Sequence, residues 1–285
     1  MDSFFRAILQ SWEWRGEIIL VLGGAGAIYI LGWSQIRRRQ RPDHSQRALA
    51  TFWRLGAYLT GLAALGAALM SPLDSLGGQL FSMHMLQHLV LVMIAPPLLW
   101  LANPFLFLLW GTPRPVRSTP RRGVRGSIGR LLNRRARFRQ ALRWATTPLM
   151  ALLLFMICLW GWHIPAAYEA ALRHDWVHDL EHLTFFVTAM LYWQCVLGAA
   201  PHLHRFSRGA RLLMLLATVP FNIALGMIIA LADKPIYGHY LTVLRLWGVT
   251  VMQDQMLSGF IMAAPGSMMY LIAALVLAGQ ILREV

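Results

Sequence analysis

Cysteine is scarce in this chain, which has only two such residues, Cys158 and Cys195, among 285. Both lie in apolar stretches long enough to cross a membrane, and helical rise places them at depths that differ by on the order of 15 Å. A disulfide requires Cα atoms within about 7 Å of each other. The sequence therefore predicts no disulfide, and it lacks the CxxC pattern of a metal or redox site.

Charge is the second scarce property. Only 13% of the residues are charged, whereas 57% are hydrophobic, and the mean hydropathy is +0.51. An ordinary soluble domain is about half apolar and about one quarter charged, so this composition indicates a membrane protein. A helix that crosses the hydrocarbon core needs about 20 apolar residues. We therefore predict an all-α fold, a polytopic transmembrane helix bundle in which residues 1–285 form one transmembrane domain. Its seven predicted spans are 16–33, 51–70, 80–101, 147–164, 180–197, 212–231 and 256–282.

The first of these stretches does not have the features of a signal peptide. Its beginning is acidic, with Asp2, Glu13 and Glu17, and no small-residue cleavage site follows it. A secretory signal peptide has a basic start and such a cleavage site. We therefore expect this stretch to remain in the mature protein as the first span.

Basic residues are few in alternate connections between the spans, since 165–179 has only Arg173 and 232–255 has only Lys234 and Arg245. The connection 71–79 contains no Lys or Arg, whereas the connection 111–146 contains eleven arginines. The connections 33–50 and 199–211 are also rich in arginine. Because basic connections stay in the cytoplasm, the pattern predicts an external N-terminus, a cytoplasmic C-terminus and a multi-pass protein of the bacterial plasma (inner) membrane.

The arginine-rich connection 111–146 could also suggest a nucleic-acid partner, but no nucleic-acid-binding motif accompanies it. Four of its apolar residues, Leu131, Leu132, Phe138 and Leu142, fit one side of a short helix that lies on anionic lipid. We interpret the segment as a basic cytoplasmic loop that faces the lipid bilayer, and we expect no nucleic-acid partner.

Histidine is unevenly distributed across this topology, because seven of the ten histidines fall on the predicted outer side. These seven are His84, His88, His163, His174, His178, His182 and His239. Residues four apart lie on one face of a helix, with Cβ atoms about 5–6 Å apart. His84 with His88, and His178 with His182, therefore form two pairs that can each bind an ion.

Two such pairs on different spans at one depth indicate a metal or cofactor site, because ionisable groups inside a membrane are costly and functional. Imidazole binds copper, zinc and iron, and thioethers favour Cu(I), which makes Met83 and Met85 candidate supporting residues. Asp254, where the last span enters from the same side, is a candidate acidic residue. A lone histidine at a span end is ordinarily interfacial, and we interpret His174 and His239 in this way.

The segment HDLEH, residues 178–182, leaves the chemistry of this site open. It matches H-x-x-E-H, a signature of zinc peptidases in which two histidines bind the metal and a glutamate acts as general base. Glu181 can equally orient a metal-bound imidazole. The alternatives to a metal-holding protein are therefore a metal-dependent membrane hydrolase or oxidoreductase, with zinc, and a bis-histidine membrane protein, with haem.

Four segments follow one another along the seven spans: HMLQHLVLVMIAPPLL, WHIPAAYEAALRHDWVHDLEHLTFF, KPIYGHY and DQMLSGFIMAAPG. Together they resemble the bacterial CtaG family of cytochrome c oxidase assembly factors, which is associated with caa3-type oxidases. The resemblance covers about residues 50–282, nearly the whole chain.

This resemblance implies a membrane factor, not an enzyme, that supplies copper to the buried copper centre of a haem-copper oxidase. The implied partners are subunits of cytochrome c oxidase, with a periplasmic copper chaperone as a candidate donor. The resemblance also implies which residues bind the metal and which acids accompany them. The implied metal ligands are His84, His88, His163, His178 and His182, with Glu181 and Asp254 as the acids.

Overall fold

The computed structural model of the protein describes residues 11–39, 49–112, 137–145, 147–200 and 206–283. Within these ranges the regular structure is entirely helical, as predicted. Two short π-helical turns, Val90–Ile94 and Met262–Gly266, interrupt two of the spans. The helices are α1 (Gly16–Arg39), α2 (Phe52–Met70), α3 (Pro72–Gly77), α4 (Phe81–Leu89), α5 (Ala95–Leu101), α6 (Pro104–Gly111), α7 (Arg137–Ala145), α8 (Pro148–Trp162), α9 (Pro165–Arg173), α10 (Asp175–Leu197), α11 (Arg208–Ala230), α12 (His239–Thr242), α13 (Val251–Ile261) and α14 (Ser267–Leu282).

Six helical segments of the described chain are long and apolar enough to cross a membrane, and a bent pair supplies a seventh. The bent pair is α8 and α9, which meet at 72° across a short break. The predicted spans correspond to α1, α2, α4 with α5, α8, α10, α11, and α13 with α14. The multi-span helical fold predicted from hydropathy is therefore confirmed.

Two spans begin five residues earlier than their hydropathy indicates. α10 begins at Asp175 instead of residue 180, and α13 begins at Val251 instead of residue 256. Asp254 and Gln255, in the added part of α13, are buried within the protein. Hydropathy reflects contact with lipid, so it does not detect a helix end whose polar side chains contact other helices.

Three spans begin at the same end of the bundle, which we call the histidine end. Phe81 at the start of α4 contacts Asp254 near the start of α13, and the His84 ring lies 5.3 Å from the His178 ring near the start of α10. This common end agrees with the predicted topology, in which the connections before these three spans lie on the same side of the membrane. That the histidine end faces the exterior remains a prediction.

Most of the arginine-rich connection 111–146 lies outside the described residues. Its described part includes α7, which spans Arg137–Ala145 and is a short helix, as predicted. Leu131 and Leu132 lie outside the described residues, and so do the side chains of Phe138 and Leu142. The contact of this segment with lipid remains a prediction.

Proline explains the two π-helical turns. Pro96 and Pro97 follow the first turn and Pro265 lies within the second, and a proline has no N–H with which to bond a preceding carbonyl. Trp193 on α10 donates its indole N–H to the carbonyl of Val92 at 2.9 Å. Asn222 on α11 donates its amide to the carbonyl of Met262 at 2.7 Å. Each turn is therefore stabilised by a buried side chain of a facing helix.

The short helix α6 packs against α1 at an unusually close crossing made by two glycines. A Cβ atom on Gly32 would lie 1.8 Å from the carbonyl oxygen of Phe107, and one on Gly111 would lie 1.8 Å from that of Ile28. Only glycine permits two backbones to approach this closely. The crossing holds α6, which follows a left-handed turn at Asn103, against the first span.

The two cysteines lie on α8 and α10, within the described part of the chain. Cys158 is on α8 and Cys195 is near the end of α10. They are not joined by a disulfide, which confirms the prediction from their difference in depth.

Candidate metal centre

Four potential metal ligands meet in the protein interior at the histidine end. They are His84 and His88 of α4 and Glu181 and His182 of α10, and we call them the His–Glu cluster. Each offers one ligand atom, and these atoms all lie within 4.8 Å of one another. At most 6% of any of the four residues is exposed. The predicted pair His84 and His88 is therefore brought together with Glu181 and with His182 of the second predicted pair, whereas His178 is not part of this cluster.

The distances within this cluster suit a single ion. The Nε2 atoms of His84 and His88 are 2.9 Å apart, and they lie 3.5 and 3.7 Å from the two carboxylate oxygens of Glu181. Two atoms bound to one ion at about 2.0–2.2 Å are separated by less than roughly 4.4 Å. The residues therefore fit a metal without a change in helix positions.

Unpaired polar atoms surround the same point. Among the described residues, neither oxygen of Glu181 has a hydrogen-bond partner, and the same is true of Nε2 of His182. A buried polar group without a partner is costly, and a buried carboxylate is more so unless it meets a cation or a proton. This set of unpaired donors is what a metal site requires.

Asp254 does not join the cluster, but it positions the helix that carries half of it. Its carboxylate accepts hydrogen bonds from the backbone N–H groups of Phe81 at 2.7 Å and Ser82 at 3.0 Å. These are two of the N–H groups that a helix leaves unpaired at its start, and the helix dipole also favours a carboxylate there. Asp254 thus fixes the start of α4, one turn before His84.

Aromatic side chains cover the cluster. The Tyr168 ring of α9 lies 5.0 Å from the His84 ring, and its hydroxyl is 2.9 Å from that of Tyr240. Tyr240 donates its own proton to the carbonyl of Gly77 at 3.0 Å, so Tyr168 is the donor between the two. Burial raises the pKa of Tyr240, which stays neutral. The cover therefore adds no charge.

His163 lies beside the cluster and not within it. It occupies the break between α8 and α9, where its Nδ1 is 2.7 Å from the carbonyl oxygen of Leu159. Its Nε2 faces the sulfur of Met85 at 3.5 Å, and its ring lies 6.4 Å from that of His88. The predicted ligand His163 and the predicted supporting residue Met85 thus contact each other beside His88.

A second group of potential ligands shares His182 and reaches toward the surface. It consists of Asp74, His178 and His182, whose ligand atoms also lie within 4.8 Å of one another. Asp74 lies on α3 and accepts a hydrogen bond from Gln87. Burial raises the pKa of Asp74 above its usual range, against the opposite effects of His178 and Gln87. Sequence reasoning missed Asp74, although it is the only charged residue in the connection 71–79.

An open cavity of about 230 Å³ adjoins this second group, and we call it the acidic vestibule. Its lining includes four acidic residues and His178, with Arg15 as its basic residue. The acidic residues are Glu13, Asp74, Asp175 and Asp179. Carboxylates around a cleft raise the local concentration of cations. The vestibule therefore gives cations a favourable approach to His178.

An ion pair fixes one wall of the vestibule. The guanidinium of Arg15 donates to both carboxylate oxygens of Asp179, at 2.6 and 2.8 Å. This pairing raises the pKa of Arg15, which remains charged. Because Asp179 follows His178 on α10, the pair ties the segment before α1 to the helix that carries the HDLEH residues.

The remaining candidate residues lie outside these groups. Met83 is half-buried on α4 and belongs to neither group of potential ligands among the described residues. His174 is exposed at the N-cap of α10. The His239 ring is 2.8 Å from the carbonyl oxygen of Gly78. The structure thus gives His174 and His239 no part in the cluster, as we expected for interfacial histidines.

Comparison with curated proteins gives three relatives, all from mycobacteria. Uncharacterized proteins of Mycobacterium bovis and Mycobacterium tuberculosis are each 26% identical to this chain over 254 residues, which cover 86% of this chain and 36% of each relative. An uncharacterized protein of Mycobacterium leprae is 23% identical over 280 residues, covering 95% of this chain and 40% of that relative. The chain thus spans well under half the length of these relatives.

Comparison with protein families gives one that covers nearly the whole chain. The family described as cytochrome c oxidase caa3 assembly factor matches residues 27–284. This range contains the His–Glu cluster, His163, Asp74 and Asp254. Of the residues that line the vestibule, only Glu13 and Arg15 lie outside it. No solved structure matches the chain.

Proposed function

Because the chain belongs to the cytochrome c oxidase caa3 assembly factor family, we propose that it holds copper at the His–Glu cluster and passes it to the oxidase during assembly. The partner in this proposal is an oxidase subunit that accepts copper, and a periplasmic copper chaperone is a candidate donor. The chain acts as a carrier, not as an enzyme, and it does so in the bacterial plasma membrane with the histidine end outside.

One observation carries this proposal: four buried potential ligands, three imidazoles and a carboxylate, converge from two spans on one point. Imidazole suits copper, zinc and iron. Copper is the member of this set that an assembling haem-copper oxidase must receive. The acidic vestibule supports the proposal, because it leads from the predicted outer side to the second group and so to His182.

Copper is the cargo here, and the residues of the chain bind and release it. The histidines must be neutral to bind a metal, and burial favours their neutral form. Glu181 supplies one negative charge, which the cation offsets. Because Asp74 and His178 share His182 with the cluster, an ion can move from the vestibule to the cluster by exchanging one ligand at a time.

The hydrolase alternative depends on Glu181 as a general base. Such a base must lie within hydrogen-bond reach of the water or substrate that it deprotonates. Glu181 and His84 have no exposed surface, and the Tyr168 ring of α9 lies against the His84 ring. Burial of this extent suits an ion better than a peptide or ester.

The haem alternative conflicts with the convergence of the ligands. A porphyrin places its ring between two axial histidines. Here each imidazole ligand atom has a carboxylate oxygen and two further imidazole nitrogens within 4.8 Å. The space that a macrocycle needs between His88 and His182 is taken by these side chains, so the geometry favours a single ion.

Metal analysis of the full chain, purified in detergent without chelators, tests this function first. We expect copper near one equivalent or more and no Soret band in the optical spectrum. A Soret band would establish haem instead. Zinc as the sole stoichiometric metal would favour the hydrolase.

Substitution of single ligands tests the site. Replacing His84, His88 or His182 with Ala should reduce both bound copper and oxidase activity in membranes while the protein still inserts. His174→Ala is the matched control, because His174 lies on the same helix as His182 but is exposed. The double variant His88→Ala with His182→Ala should be little worse than either single one, since residues that share one ion are not additive. Unchanged copper in all three single variants would contradict the proposal.

Glu181→Gln separates the carrier from the hydrolase. A carboxylate that binds or orients the metal should, when replaced, weaken metal retention by about 10–100-fold. A general base should instead leave the metal bound and abolish function, because an amide cannot accept the proton. We expect weaker copper retention.

A further inference from the structure

A cavity of about 40 Å³ lies below the His–Glu cluster, between the two π-helical turns. We call it the Met–His cavity. Its lining includes Met85, His88, Met93, His163 and Met262. Each of these five residues is more than nine-tenths buried. A single water needs about 10–15 Å³ of such space, so the cavity has room for an ion.

The tautomer of His163 follows from its contacts. Its Nδ1 lies 2.7 Å from the carbonyl oxygen of Leu159, and a carbonyl can only accept, so Nδ1 carries the proton. In the neutral imidazole the other nitrogen, Nε2, then carries a lone pair and no proton. That nitrogen faces the sulfur of Met85 at 3.5 Å.

The sulfur of Met85 cannot satisfy this nitrogen. A thioether has lone pairs and no proton to donate, so Nε2 of His163 and the Met85 sulfur are two electron-pair donors that face each other. A Lewis acid bound between them would use both electron pairs. Their separation is compatible with one ion bound at about 2.0 Å to nitrogen and about 2.3 Å to sulfur, which are the lengths found for zinc.

The π-helical turns bring two more thioethers to the same cavity. Met93 lies in the first turn and Met262 begins the second. π-helical turns within α-helices occur frequently at functional sites. Here each turn contains one of the methionines, and each is stabilised by the side chain, Trp193 or Asn222, described above.

We propose that the Met–His cavity is a second metal site, selective for Cu(I), with Met85 and His163 as its principal ligands and Met93 and Met262 as further thioethers. Thioethers select Cu(I) over harder ions, whereas the nitrogen and oxygen ligands of the His–Glu cluster also accept zinc. The proposal deepens the proposed function and rests on it for copper as the cargo.

His88 connects the two sites. Its ring lies 5.5 Å from that of His182 in the cluster and 6.4 Å from that of His163 beside the cavity. Its Nε2 faces the cluster, and its Nδ1 has no hydrogen-bond partner among the described residues. A rotation of this one ring is enough to carry a ligand atom from one site to the other. The Met–His cavity is therefore the inner of the two metal sites, and it binds copper as Cu(I) but does not bind zinc.

Copper K-edge X-ray absorption of the full chain, purified in detergent and loaded anaerobically with Cu(I), tests this proposal. The His–Glu cluster contains no sulfur, so a sulfur shell around copper reports the inner site. We expect this shell in the wild-type protein and in Met83→Leu, the control on the same helix. Met85→Leu, which conserves volume and should be tolerated, should reduce the number of sulfur neighbours around copper and weaken Cu(I) binding while zinc binding is unchanged.

Two results would overturn the inner site. One is wild-type protein whose bound copper has only nitrogen and oxygen neighbours, and the other is a number of sulfur neighbours that is unchanged in Met85→Leu. Glu181→Gln keeps this test separate from that of the proposed function. If Glu181→Gln loses zinc but keeps the sulfur shell around copper, the protein has two separate sites. If the wild type has the sulfur shell but no metal at the His–Glu cluster, the proposed function is overturned and the inner site is not.

Discussion

The indole nitrogen of Trp193 donates a 2.9 Å hydrogen bond to the carbonyl oxygen of Val92. In a helix that carbonyl would bond to the N–H of the residue four or five positions later, and both of these residues, Pro96 and Pro97, have no N–H. Trp193 is therefore the only means in the described chain of pairing this buried carbonyl. The bond holds α10 against the π-helical turn that follows His88.

Trp193→Phe should lower the unfolding free energy by about 1–3 kcal/mol, because it leaves the Val92 carbonyl buried without a partner. Thermal unfolding in detergent measures the change. Trp100→Phe is the control: the Trp100 indole donates to the carbonyl of Met190, which lies inside α10 and keeps its intrahelical bond. Equal losses in the two variants would show that ring packing and not the carbonyl decides the effect.

Glu181→Leu should have opposite effects with and without metal. In metal-free protein it removes a buried carboxylate whose oxygens are unpaired, and replacing such a group with an apolar one is neutral or stabilising by about 1–4 kcal/mol. With copper at about 100 times its dissociation constant, the wild type gains about 2.7 kcal/mol from binding, and the variant gains less. With a chelator the variant should therefore unfold at the same temperature as the wild type or at a higher one, and with copper it should unfold at a lower temperature than the wild type. The same order in both conditions would argue against a metal at this carboxylate.

Gly32→Ala should separate α1 from α6, because its new methyl group would lie 1.8 Å from the Phe107 carbonyl oxygen. We expect a loss of about 1–3 kcal/mol in unfolding free energy, the usual cost of overpacking. Gly24→Ala is the matched control on the same helix, since no atom lies within 4 Å of its added Cβ. That variant should be neutral or slightly stabilising, because alanine is the better helix former.

Reporter fusions test the orientation on which the direction of copper supply depends. A reporter after Arg122 should behave as cytoplasmic, and reporters after Leu76 and Arg173 should behave as external, because the eleven arginines of the connection 111–146 dominate orientation. An external signal at Arg122 would place the histidine end in the cytoplasm. The acidic vestibule would then receive cations from the opposite compartment.

Helical spacing was sufficient to predict the pairs His84 with His88 and His178 with His182. A period of 3.6 residues fixes which residues share a face, and hydropathy fixes which spans they open. The approach of His84, His88 and His182 to within the reach of one ion depends on how α4 and α10 are rotated about their axes. Packing sets that rotation, and spacing does not reveal it.

The contacts of Asp74, Asp254 and Met85 could not be predicted for the same reason. Asp254 was a candidate acid near the metal, but its carboxylate is used by the N–H groups of Phe81 and Ser82. Asp74 reaches His178 only because α3 folds back beside α4. Met85 meets His163 across the break between α8 and α9, and that 72° bend leaves no pattern in hydropathy.

The bond between Asp254 and α4 also has a consequence for the order of events during synthesis. The chain leaves the ribosome from its N-terminus, so α4 enters the bilayer long before Asp254, which lies 173 positions after Phe81. Until the last span arrives, the first amide groups of α4 lack their acceptor, and unpaired amides are unfavourable near hydrocarbon. α4 then has no fixed position against α10. A nascent or prematurely terminated chain therefore presents no finished His–Glu cluster, and under the proposed function only a completely translated protein can take up copper.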